Sequence, residues 1–215
     1  MDYTQMLSFV FVSSDLADGA ELRRFLGSVT PTDAILFVTR LFSKCGSDLT
    51  QFSDRAVADG LGFIAFTGES DWLRSLYDER IGWAVRAPCI KSIVTLYRDC
   101  FAPRCTKSYN PNLESANPLD ATCYMWWDRF HSSGYPMATD ATDELVGRAL
   151  VEVMLRVLEI PSIPCWWSAL HGLGHWYPTE AERAGEAIDR WLGANPSVPQ
   201  ALRDYAAKAR RGNVL

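Results

Sequence analysis

No run of apolar residues in this chain approaches the roughly 18 needed to span a bilayer. The densest, Ala34–Val38 and Phe63–Phe66, are short, so no membrane partner is expected. No basic residue precedes Arg23. A secretory signal opens on a positive region, so the expectation is a cytoplasmic protein. Basic residues are also too few for a nucleic-acid partner. Lys+Arg is 21 against Asp+Glu 26, for a net charge of −5, whereas phosphate contacts need a basic stripe. The only basic cluster, Arg203, Lys208, Arg210 and Arg211, suits the carbonyl end of a helix. Phosphate loops, nucleophile elbows and dinucleotide fingerprints are missing as well. Gly172-Leu173-Gly174 follows no expected strand, so it is not a dinucleotide loop.

Strand signals are scarce. Val and Ile fall in helical rhythm, and no Asn-Gly or Asp-Gly turn sits between alternating runs. What remains is helical punctuation. Thr30-Pro31-Thr32-Asp33 reads as an N-cap followed by Pro at the first helical position, and Gly46 reads as the stop. Thr179-x-x-Glu182 and Ser197-x-x-Gln200 have the form of capping boxes. Residues 142–158 carry a long three-and-four apolar rhythm that Pro161 ends. With 215 residues, 48% hydrophobic and 22% charged, the expectation is one all-α domain, 1–215. The Pro- and Asn-rich stretch 102–118 marks a subdivision into 1–101 and 119–215. Residues 131–141 read as a second irregular stretch.

Two segments echo each other. Asp33–Phe66 and Asp143–Trp176 each read as a helical hairpin whose second helix contains Gly-Leu-Gly. Glycine inside a helix costs about 1 kcal/mol relative to Ala, and close approach of a neighbouring helix is the simplest reason for it. From residue 142 onward helix starts recur with a period of roughly 36 residues. Through Ser168–His175, Ala187–Leu192 and Ala201–Ala207 the C-terminal part resembles HEAT-like helical repeats, and 31–66 shares the pattern more weakly. The resemblance implies stacked antiparallel helical hairpins, as a HEAT-like α-solenoid or a compact helical bundle, and a scaffold or binding role. Residues 67–141 depart from the repeat.

His171 and His175 stand four apart on an expected helix, which puts both rings on one face. That is the spacing of the zinc-binding His-Glu-x-x-His helix. Position 172 is Gly, so the motif's general-base Glu is absent. A third ligand has to come from elsewhere, and by residue type His131, Asp128 and Glu180 are the candidates. The six cysteines read as reduced thiols. Cys100-x4-Cys105 with Cys123 and His131 forms an alternative zinc set. Cys100, between Arg98 and Arg104, is also a candidate nucleophile with His131 or His171.

Eight tryptophans include the adjacent pairs Trp126-Trp127 and Trp166-Trp167. Neighbours on a helix point about 100° apart, so one of each pair is expected at the rim. Tryptophan is enriched at binding hot spots. Trp126, Trp127, Asp128, Trp166 and Trp167 are therefore the candidate partner-binding surface. The leading expectation is a protein–protein interaction or scaffold module that binds a partner protein through an aromatic groove, with a toxin antagonist as one form. That reading requires no cofactor and no catalysis. The alternative is a metal-dependent enzyme or zinc-stabilised domain using His171 and His175.

Overall fold

A computed structural model describes residues 2–13, 19–65, 70, 72–130 and 141–214. In the N-terminal part the helices are α1 (Tyr3–Ser8), α2 (Gly19–Gly27), α3 (Pro31–Asp48), α4 (Asp54–Ala65), α5 (Trp83–Leu96) and α6 (Ala102–Arg104). They are followed by α7 (Pro118–Tyr124), α8 (Ala141–Leu158), α9 (Ile163–His175), α10 (Tyr177–Ala194) and α11 (Gln200–Ala209). Tighter 3₁₀ turns cover Trp72–Tyr77 and Trp126–Arg129, and π-helical turns cover Phe9–Ser13 and Tyr97–Phe101. Among the described residues there is no strand, and the chain is all-α. Among those residues no helix is long and apolar enough to cross a membrane.

Helix starts follow local chemistry at some places and tertiary packing at others. Thr30 caps α3 as expected, its hydroxyl accepting from the Asp33 amide at 3.1 Å, with Pro31 in the first turn. Gly46 does not stop that helix, which runs on to Asp48. A Cβ on Gly46 would come within 3.1 Å of the Asp99 Cβ, so this glycine admits the 97–101 turn. The two expected capping boxes are also displaced. Helix α10 already begins at Tyr177, with Trp176 at its N-cap, and α11 begins only at Gln200, after Pro199.

The buried apolar side chains form one cluster that runs from Met6 to Val214. Helix α5 packs against both α3 and α8, and α9 packs against α8, α7 and α11. Ten of the 13 residues of α9 are buried, which makes it a core helix rather than an amphipathic surface one. The stretch 102–118 is tied down on both flanks. The Arg104 guanidinium donates to the carbonyls of Leu49 at 2.9 Å and Phe52 at 2.7 Å, and to Asp54 at 2.8 Å. The buried Asp120 carboxylate accepts from the Thr106 amide at 2.8 Å and from the Ser115 hydroxyl. Asn117 caps α7 through the Leu119 amide at 3.0 Å. Ring contacts then join the chain before and after this stretch, Phe42 to Trp126 at 5.8 Å and Tyr97 to Trp127 at 5.4 Å.

Candidate metal centre

The centre begins with a missing side chain. A Cβ on Gly172 would lie 2.6 Å from two indole carbons of Trp127 and 3.0 Å from the Met154 sulfur. The glycine lets the Trp127 ring pack closely against α9, where it also stacks on Tyr97 with an interplanar angle of 4°. The next residue is Asp128. Seating Trp127 against Gly172 carries the Asp128 carboxylate to the side chain that precedes Gly172, which is His171. The nearest neighbour behind the in-helix glycine is thus an aromatic ring from a short turn, with Met154 of the neighbouring helix α8 next to it. Gly174 is occluded similarly, with Val214 methyls 2.5 Å and 2.6 Å from where its Cβ would stand.

Three ligand atoms converge. His171 Nε2 lies 3.2 Å from Asp128 Oδ1 and 3.1 Å from His175 Nε2, and His175 Nε2 lies 3.4 Å from Asp128 Oδ1. The two rings are nearly perpendicular, 87°, with centroids 4.4 Å apart. For ligand bonds of 2.0–2.1 Å, a tetrahedral edge is about 3.3–3.4 Å and an octahedral cis edge about 2.9 Å. The observed edges lie between these values. Two imidazole nitrogens and one carboxylate oxygen are suited to zinc, and the same set occurs as a facial triad around ferrous iron.

The environment is graded. His171 is buried, while the side chains of Asp128 and His175 keep 29% and 27% of their exposure, so solvent reaches one side of the triangle. Burial, reinforced by the neighbouring His171, holds the His175 imidazole below its ordinary range, against the pull of Asp128. A neutral imidazole is the form that ligates a metal. Behind His171, its Nδ1 lies 2.7 Å from the Tyr205 hydroxyl, which lies 2.8 Å from the Tyr124 hydroxyl. Burial pushes both phenols above their ordinary range, and the bond to Tyr124 adds to the rise at Tyr205. Tyr205 is set by α11, whose Leu202, Ala206 and Ala209 are buried in the core.

Of the ligands expected from sequence, the structure brings together Asp128, His171 and His175, the only such group among the described residues. His131 and the rest of 131–140 lie outside the described residues. Glu180 falls in the first turn of α10, with its side chain outside them too. Among the described residues the expected cysteines form no group able to hold a metal. Cys100, Cys105 and Cys123 are buried and unpaired, and two of the thiols face carbonyls, Cys105 that of Leu119 at 3.6 Å and Cys123 that of Pro164 at 3.8 Å. Burial drives the Cys100 thiol well up, which is the opposite of an activated nucleophile.

The aromatic surface also needs correction. Trp126, Trp127 and Trp167 are buried and offer nothing to a partner. The expectation of a rim tryptophan assumed a helix with one packed face. Trp126 and Trp127 instead occupy a 3₁₀ turn covered on both sides. Trp126 packs on Phe42 and Phe101, and Trp127 on Tyr97 and α9. Trp167 lies on the Tyr205 ring at 4.8 Å. Trp166 alone of the four is half-buried; it meets Trp191 edge-on at 5.4 Å in a groove of about 690 Å³ between α8 and α10. Tyr205 and Tyr124 were missed at the sequence level. Each is far in sequence from His171, and no spacing rule links them.

The chain matches no known protein-family model, no curated protein and no solved structure.

Proposed function

We propose that this protein binds one divalent transition-metal ion, zinc by preference, on Asp128, His171 and His175, and that the site is of the catalytic rather than the structural type. The observation that carries the reading is the triangle of ligand atoms with edges of 3.1, 3.2 and 3.4 Å. Structural zinc sites close all four positions with protein ligands, whereas catalytic sites keep three and leave one for water or substrate. The partial exposure of Asp128 and His175 supports the second type. An ion held there supplies a water of lowered pKa, near 7 for zinc, which suits hydrolysis. The chain's own residues do the holding. Asp128 brings the negative charge, His171 the buried anchor and His175 the ligand nearer solvent.

The test is metal content of natively purified protein by elemental mass spectrometry, followed by zinc titration into stripped protein. We expect about one ion per chain, lost in Asp128→Asn, His171→Ala and His175→Ala alike. Saturation at 100 times Kd should stabilise the fold by about 2.7 kcal/mol. Retention of the ion by both histidine variants overturns the reading.

A second reading, partner-protein binding, keeps one supporting observation: the groove that Trp166 lines. Its walls carry Glu152, Glu159 and Glu186 against Arg156, Arg183 and Arg190. That balance does not favour a toxin antagonist, which needs a dominantly acidic face. The HEAT-like arrangement of α8 to α11 is likewise a proposal, supported by the contacts of α8 with α9, α9 with α10 and α10 with α11.

A further inference from the structure

The tautomer of His171 is a constraint that the three ligands do not fix by themselves. A neutral imidazole carries one N–H. Metal ligation through Nε2 requires that proton on Nδ1. Yet Nε2 faces a carboxylate, with Asp128 Oδ1 at 3.2 Å and Oδ2 at 3.3 Å. A carboxylate accepts hydrogen bonds only, so Asp128 draws the proton to Nε2, where it blocks ligation, while His175 Nε2, 3.1 Å from the same atom, can donate or accept there and fixes neither tautomer. An acceptor at Nδ1 is needed to reverse this preference. The Tyr205 hydroxyl is that group, at 2.7 Å.

A hydroxyl both donates and accepts, so Tyr205 serves only if its own hydrogen points away from His171. The Tyr124 hydroxyl, 2.8 Å from it, takes that hydrogen. The three groups then form one directed chain, His171 Nδ1–H to Tyr205 Oη and Tyr205 O–H to Tyr124 Oη. If the Tyr–Tyr bond runs the other way, the Tyr205 hydrogen turns to Nδ1 and the imidazole proton moves to Nε2. The direction of one tyrosine–tyrosine hydrogen bond is therefore coupled to whether His171 can ligate. We infer that Tyr205 is a positioning residue that holds His171 in the Nδ1–H tautomer, with Tyr124 fixing the direction of the Tyr205 hydroxyl. The inference rests on the metal reading of the site. It extends a general feature of metal centres, in which a ligating histidine gives its other N–H to a fixed partner, to two residues on α11 and α7.

The chain is kept in place by packing that does not depend on its hydroxyls. The Tyr124 ring lies 4.5 Å from the His171 ring, and Trp167 covers Tyr205 at 4.8 Å. Tyr205→Phe and Tyr124→Phe preserve these ring contacts and remove one hydroxyl each.

The test has two independent readouts on the full chain. The first is the His171 tautomer in metal-free protein at pH 8, read from long-range nitrogen–proton correlations. The second is affinity for zinc, and for cobalt as its spectroscopic substitute, against a competing chelator. In the wild type we expect Nδ1–H. In Tyr205→Phe we expect a shift to Nε2–H with zinc affinity lowered about 10- to 100-fold. Tyr124→Phe should move both readouts the same way. A purely structural role for Tyr205 lowers the melting temperature but moves neither the tautomer nor the affinity of the folded protein. Wild-type His171 with its proton on Nε2, or a Tyr205→Phe affinity within twofold of wild type, overturns the inference while leaving the metal reading intact. Wild-type protein that takes up neither zinc nor cobalt overturns the metal reading itself, and the inference with it.

Discussion

Gly172 and Trp127 are fitted so closely that a single added carbon at position 172 would lie 2.6 Å from the indole. The contact does two things at once. It buries one of the two tryptophans of the 126–129 turn, and it sets where Asp128 points.

Gly172→Ala should therefore be destabilising even though alanine is the better helix former. The helix gains up to about 1 kcal/mol, while overpacking a filled site costs about 1–3 kcal/mol. Displacement of Trp127 should also carry Asp128 away from the histidines. Urea denaturation and zinc titration of the same variant check both effects. Unchanged stability with unchanged affinity would show that the indole moves aside freely.

The two tryptophan pairs should separate under substitution. Trp126→Ala removes a fully buried side chain and should cost about 3–5 kcal/mol. Trp166→Ala, at the half-buried edge of the groove, should cost substantially less. Chemical denaturation of both variants decides this. Equal losses would mean that Trp166 belongs to the core and that the groove is not a free surface.

Burial makes the thiols poor nucleophiles. Cys45 and Cys89 are each pushed up to about 12 by loss of solvation, and Cys100 also rises. At pH 8 native protein should leave all three unlabelled by a disulfide reagent, with release on unfolding. Their ionisation also has a sign for stability. Unfolded thiols lose protons near pH 8.5, whereas the folded ones keep them to about 12. Stability is fully present below the unfolded value and falls as pH rises through that window. Urea midpoints at pH 8 and pH 10 should show the fall. Rapid native labelling of Cys100 would restore it as a candidate nucleophile.

Asp120 should hold the 105–117 segment. Its carboxylate accepts from the Thr106 amide and the Ser115 hydroxyl while fully buried itself. Asp120→Ala leaves those donors without a partner, at about 1–3 kcal/mol. Amide exchange in residues 106–115 should accelerate more than exchange in α3 or α5. Uniform acceleration across the chain would point to a global rather than a local role.

Much of this was legible in the chain itself. Thr30 and Pro31 start α3 because capping satisfies amides that the helix leaves open, which is a local requirement. The spacing of His171 and His175 puts both rings on one face because helical geometry allows nothing else. Helix stops were less legible. Gly46 looked like a terminator, but its glycine serves a neighbouring segment and not the helix's own end.

The helical class, the paired histidines and the shortage of alternatives to them follow from the order of residues along the chain. Each of these depends on residues within a few positions of one another. Which acid joins the pair is settled by long-range packing, since Asp128 lies 43 residues from His171. The same packing decides that Tyr205, 34 residues away, stands behind the ring, and that Trp126 and Trp127 face inward. These outcomes are set by which surfaces meet when the apolar faces of α7, α9 and α11 are buried together. That burial depends on the whole set of side chains at once, and no local spacing encodes it.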